Sequence, residues 1–178
     1  MNFLEAYNKA QELLEQLSPH CDRIEIAGSI RRRCREVKDI EIVCIPKPYQ
    51  TGLFEDGIAS VVNQWPAELG QLPCKYTRRM LPEGIKLDLF FATPENWGYI
   101  FLIRTGPADF SKAFVGALMP SLGYRCQEGF VRVDGRPLKT PEEADVFGLA
   151  NLPFIRPEYR QHYDFTPILR RSRKSNYR

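Results

Sequence analysis

At 178 residues the chain has room for one domain or for two small subdomains sharing a cleft. A hydrophobic share of 43%, with 11 Phe and 8 Tyr, supports an ordinary core and argues against wholesale disorder. The net charge is only +3, so attraction to a polyanion must come from local patches. Residues 168–178 form one such patch, with Arg170, Arg171, Arg173, Lys174 and Arg178 and no acid. It reads either as a solvated terminus or as a binding arm. Five cysteines, an odd number with no C-x-x-C pair, argue against a disulfide framework or a thiolate zinc site. No apolar run approaches the roughly 20 residues of a membrane helix, and residues 1–5 do not resemble a signal peptide. The expectation is a cytoplasmic or nucleoid protein, neither secreted nor membrane-bound.

Phe3, Leu4, Tyr7, Ala10, Leu13, Leu14 and Leu17 recur at helical spacing and predict an amphipathic helix over 2–17, ended by Ser18-Pro19. Residues 23–27 alternate as a strand, followed at once by Gly28-Ser29 and a basic run. Residues 39–45 predict a second strand, stopped by Pro46 and Pro48. Phe54, Ile58, Val61, Val62 and Trp65 share one helical face. Residues 75–81 and 85–91 read as strands around the turn Pro82-Glu83-Gly84. Composition shifts at Thr93-Pro94, which divides the chain into 1–93 and 94–178. Beyond it, helices are expected through 94–103 and over 108–118, broken at Thr105-Gly106-Pro107. Short strands follow in 123–139, with Asp134-Gly135 as a hairpin turn, then a short helix from Pro141 to near Gly148. A Pro- and aromatic-rich segment leads to the basic tail. The fold class is α+β. Tyr99, Phe101, Phe110 and Phe114 are expected in the core, with Trp65 and Trp97 also packed.

The chemistry lies in Gly28-Ser29-Ile30-Arg31-Arg32-Arg33 and in Asp39-Ile40-Glu41. Strand side chains alternate faces, so Asp39 and Glu41 point one way and Ile40 and Ile42 the other. Two neighbouring acids repel each other, and burial adds to the cost. A divalent cation removes that cost, and hard oxygen ligands suit Mg2+ or Mn2+. Alone, an acid-x-acid strand is an ordinary solvated sheet face. Here backbone N–H groups at Gly28-Ser29 offer a phosphate cradle, and the arginines beyond supply positive charge. Asp88, flanked by Leu87 and Leu89, adds a third acid in the same kind of setting. Three acids on adjacent strands beside such a cradle describe a two-metal site for in-line displacement at phosphorus.

Together these motifs resemble the nucleotidyltransferase superfamily and, within it, the DNA polymerase beta-like family X polymerases. Ile103-Arg104-Thr105-Gly106 resembles the family's turn between palm and thumb, and the stretch from Ala144 to Arg160 resembles the end of its thumb. The resemblance spans roughly residues 20–160. It implies a palm with a mixed central sheet and helices over 1–93, and a small α+β thumb with a basic tail over 94–178. It also implies Asp39, Glu41 and Asp88 as catalytic residues and ligands of two Mg2+ or Mn2+ ions. Gly28, Ser29, Arg32, Thr105 and Gly106 would meet a nucleoside triphosphate, and Lys112 would face the templating base. DNA would further be held by Arg170 and Arg171, and by residues 31–35, Lys75, Arg78 and Arg79. The implied activity is nucleotide addition to a DNA 3′-hydroxyl, in DNA repair, by a monomer. Three departures stand out: Glu41 replaces the family's usual Asp, Ile103-Arg104 replaces an aromatic pair, and Ser111 and Val115 replace minor-groove contacts. They leave open transfer to RNA, protein or a small molecule, and a non-catalytic DNA-binding subunit.

Overall fold

The structure is a computed structural model that describes residues 1–48 and 57–175, with side chains through Arg170. It has α1 (Phe3–Leu17), β1 (Cys21–Ile26), α2 (Gly28–Arg31), β2 (Asp39–Pro46), α3 (Ile58–Val62), β3 (Ala67–Leu69), β4 (Tyr76–Met80) and β5 (Lys86–Phe91). These belong to a first compact unit, Met1–Thr93, and a second unit covers Pro94–Arg178. The chain is therefore mixed α+β.

In the first unit five strands form one sheet in the order β1-β2-β5-β4-β3. The β2–β5 pair is parallel and the other pairs are antiparallel. The parallel pair at the centre determines which side chains become neighbours, because it sets Glu41 beside Asp88 and Ile40 beside Leu87. One sheet face carries Ile40, Ile42, Cys44, Leu87 and Leu89, all fully buried against Ala6, Ala10, Leu13 and Leu17 of α1 and Val62 of α3. Burying each of these large aliphatic side chains contributes roughly 1.5–3 kcal/mol. α1 begins with a reciprocal cap: Glu5 N–H donates to Asn2 Oδ1 at 3.0 Å and Asn2 N–H to Glu5 Oε2 at 3.1 Å. Strand β3, which the sequence did not predict, has only three residues, too few to show a pattern. The expected helix start at Phe54 lies outside the described residues. Among the described residues no helix is long and apolar enough to cross a membrane.

In the second unit α4 (Trp97–Thr105) leads to α5 (Ala108–Ala113), a wider π turn (Phe114–Leu118) and α6 (Met119–Ser121). The helical run thus passes the expected end at 118. Pro120 cannot donate, and its ring crowds the carbonyl four residues back. The wide turn just before it keeps the chain helical, with Met119 N–H donating to Phe114 O. A three-stranded antiparallel sheet follows, β6 (Arg125–Gln127), β7 (Phe130–Val133) and β8 (Arg136–Pro137). Then come α7 (Glu143–Leu149), a 3-10 turn (Pro157–His162) and α8 (Thr166–Ser175). Gly98 sits inside α4 because a Cβ there would lie 2.0 Å from Glu142 O. Phe110 and Phe114 are buried as expected, and they pack with Phe147 and Phe165.

The basic tail is helical at its start rather than frayed. Asp164 Oδ1 accepts from Thr166 N–H at 2.8 Å, and Pro167 follows at the first turn. Arg160, only 1% exposed, ties this segment to the core. Its guanidinium donates to Glu143 Oε1 at 2.9 Å and to Ile155 O at 3.0 Å, and lies 5.3–5.7 Å from the rings of Phe110, Phe147 and Phe154. Arg160→Ala would leave the Glu143 carboxylate buried without this partner. A loss of about 3–5 kcal/mol is expected, read from denaturant melts; a loss under about 1 kcal/mol would refute the pair's structural role.

Candidate active site

The face of the first sheet opposite α1 carries a row of ionisable side chains. Register sets Glu41, Asp88 and Arg78 in line across β2, β5 and β4, and places Asp39 one row away beside Lys86. Alternation thus holds as expected: Asp39 and Glu41 share this face while Ile40 and Ile42 are buried on the other. Asp88 is 5% exposed, whereas Asp39 is only half-buried.

Asp88 is held by its neighbours on β4. Arg78 forms a two-pronged ion pair with it, Nε to Oδ1 at 2.6 Å and Nη2 to Oδ2 at 2.7 Å. Tyr76 OH adds a hydrogen bond to Oδ1 at 2.9 Å, and its ring stacks on Phe90 at 4.8 Å. Arg78 Nη2 also reaches within 3.9 Å of Asp39 Oδ2. The Asp88 hydrogen bonds hold the Arg78 guanidinium well above its already high value. These short, paired contacts are the strong kind of charged hydrogen bond.

Glu41 lies against the Gly28-Ser29 turn. A Cβ on Gly28 would fall 1.6 Å from Glu41 Oε2, and Gly28 has φ +58°, so only glycine fits. The Ser29 backbone N–H donates to the Glu41 carboxylate. Ser29 Oγ is buried with no hydrogen-bond partner among the described residues. Burial raises the Glu41 pKa from 4.5 to about 7, with Asp39 and then Asp88 adding repulsion; Arg32 and the Ser29 N–H oppose the shift.

The structure therefore brings together Gly28, Ser29, Arg32, Asp39, Glu41 and Asp88 within the first unit. Thr105, Gly106, Lys112, Arg170 and Arg171 belong to the second. Thr105 is fully buried, and Gly106 (φ +63°) closes α4 by donating its N–H to Leu102 O at 3.2 Å. Lys112 is exposed on α5, Arg170 is exposed on α8, and the Arg171 side chain lies outside the described residues. Two of the arginines read as DNA contacts have other roles. Arg79 is 2% exposed and donates to Trp65 O, Thr77 Oγ1 and Asn63 Oδ1, so it is a core residue. Arg78 serves Asp88. Reading β4 as alternating would have split Arg78 from Arg79; the pairing to Asp88 required the strand register.

Comparison with protein-family models and with curated proteins finds no match to this chain.

As donors, three carboxylates suit a hard divalent cation, and the unpartnered Ser29 hydroxyl fits an additional polar ligand beside them. Among the described residues, however, no three acidic, His or Cys side chains are arranged to hold an ion as they stand. Asp88 is committed to Arg78 and Tyr76, and Glu41 is drawn onto the Gly28-Ser29 turn.

Two outcomes follow. Glu41 is protonated in both folded and unfolded chains at low pH, and its raised folded pKa makes ionisation costly as pH rises from about 4.5 through 7. Glu41→Gln should therefore stabilise the protein at pH 8, by an amount on the order of 3 kcal/mol, and change little at pH 4. Thermal melts at both pH values test this; equal effects at the two would contradict it. Gly28→Ala should displace Glu41 and destabilise the first unit by about 1–3 kcal/mol, whereas an unchanged melt would show that the turn tolerates a side chain.

Proposed function

We propose that this chain is a nucleotidyltransferase of the DNA polymerase beta-like family X kind, adding nucleotides to a DNA 3′-hydroxyl. The observation that carries this reading is the row formed by Glu41 and Asp88 across the parallel β2–β5 pair, with Asp39 on the same face. Three carboxylates on a half-buried face repel one another, and a divalent cation would offset that repulsion. In this reading 1–93 is the palm and 94–178 the thumb.

Asp39, Glu41 and Asp88 would hold the divalent ions, Mg2+ or Mn2+. When bound, such ions neutralise phosphate charge and make a hydroxyl easier to deprotonate. Asp88, the most buried of the three, suits the acceptor side, where a carboxylate would orient the attacking hydroxyl. Ser29 Oγ, buried and without a hydrogen-bond partner, would donate to a phosphate oxygen of the incoming nucleotide. Arg32, close enough to Glu41 to lower its pKa, would add positive charge at the same end.

The nature of the acceptor rests on the second unit. Ser111, at a position where template-dependent polymerases carry minor-groove contacts, donates its hydroxyl to Ile103 O at 3.0 Å. That hydroxyl is spent within the fold, which favours loose template control and keeps an RNA, protein or small-molecule acceptor as the second reading. Lys112 and Arg170, both exposed, are the candidate DNA contacts.

Primer extension with and without template, in Mg2+ and in Mn2+, tests the proposal. Labelled primer should lengthen, and Asp88→Asn should slow it by about a hundredfold or more, since even outer partners of a metal ligand are worth 10–100-fold. Label appearing on RNA or protein instead would favour the second reading. No transfer to any acceptor would overturn both. Lys112→Ala should weaken DNA binding and make its salt dependence shallower by about one phosphate contact; an unchanged salt slope would remove Lys112 from the interface.

A further inference from the structure

We infer that Arg78 is a gate on cation binding: its guanidinium and a divalent ion compete for the oxygens of Asp88, so Arg78 sets the cation concentration at which the site loads. This rests on the nucleotidyltransferase reading and adds a residue to it. The sequence had assigned Arg78 only to gripping DNA.

Three observations support competition rather than scaffolding. First, the contact uses both Asp88 oxygens, at 2.6 and 2.7 Å, leaving neither uncommitted for an ion. The same guanidinium lies 3.9 Å from Asp39. One side chain thus spans two of the three carboxylates that an ion would need. Second, Arg78 can leave. Its side chain is 27% exposed, against 7% for Asp88, so the long flexible arm has solvent to enter while the acid stays. Its neighbour shows the opposite design: Arg79 is 2% exposed and tied to Trp65, Thr77 and Asn63 on the core side. Third, Tyr76 OH still holds Asp88 Oδ1 at 2.9 Å, so the carboxylate keeps a positioning partner after Arg78 departs.

The charge balance gives the direction. The repulsion among the three carboxylates on this face is offset by Arg78, which reaches Asp88 and Asp39, and by Arg32, which acts on Glu41. An ion of charge +2 at the same oxygens is the stronger counter-charge at equal distance, and the displaced guanidinium regains water. Arg78 is thereby a positioning residue, acting through Asp88.

The two roles predict opposite signs when Arg78 is removed. A gate, once lost, leaves the acids in need of a counter-ion, and the site binds cation more tightly. A scaffold, once lost, lets Asp88 wander and binding weakens. The test uses the full chain and Mn2+ alone, with free Mn2+ followed by its electron paramagnetic resonance signal. Wild type, Arg78→Met, Asp88→Asn and the double variant are compared, with melts to confirm folding. Arg78→Met should tighten Mn2+ binding about tenfold or more, and that gain should vanish in the Asp88→Asn background. Arg78→Lys, which keeps a charge but loses the two-pronged geometry, should fall between and serves if the Met variant does not fold. Unchanged or weaker binding in Arg78→Met and Arg78→Lys, with wild-type binding still lost in Asp88→Asn, would overturn the gate while leaving the nucleotidyltransferase reading intact. Mn2+ binding by none of the variants, or binding indifferent to Asp88, would overturn both.

Discussion

The parallel pairing of β2 with β5 creates a repulsion that the rest of the first unit is arranged to manage. Because the two strands run the same way in the register Glu41 to Asp88, two acids sit side by side near the centre of the sheet. The opposite face cannot give way, since Ile40, Ile42, Leu87 and Leu89 are fixed in the core beneath α1. A one-residue slip would turn the acids inward and the aliphatics out, at the cost of the whole core face. The charges are therefore met from the sides: Arg78 and Tyr76 on β4 take Asp88, and the Gly28-Ser29 turn takes Glu41.

This makes the turn and the strands one unit. Gly28 is required because Glu41 occupies the place of its Cβ, and Ser29 contributes a backbone donor while its hydroxyl stays unpartnered. Glu41, one methylene longer than Asp, has the reach to lie on that turn. Glu rather than Asp at position 41 thus has a local use in this fold.

Much of the first unit was legible in the sequence because its signals are local. Alternation in Asp39-Ile40-Glu41-Ile42 and in Leu87-Asp88-Leu89 set which side chains share a face, and the Thr93-Pro94 break coincides with the boundary between the compact units. What was not legible depends on register. Alternation separates Arg78 from Arg79, but which of them neighbours Asp88 and which enters the core is decided by the hairpin pairing. β3 is too short to carry a pattern. In the second unit, α8 has a start signal in Asp164 and Pro167 but only Ile168 and Leu169 as an apolar stripe, and four positive charges masked its helical character.

We propose that Asp39, Glu41 and Asp88 take up a divalent cation, which displaces Arg78 from Asp88. Anomalous diffraction from crystals grown with Mn2+ and a nucleoside triphosphate tests it most directly. The expected result is manganese density bonded to oxygens of Asp88 and at least one of Asp39 and Glu41, at about 2.1 Å as for other small hard cations, with Arg78 displaced from Asp88. Saturating Mn2+ with no density on that face, and the Arg78–Asp88 pair intact, would contradict it.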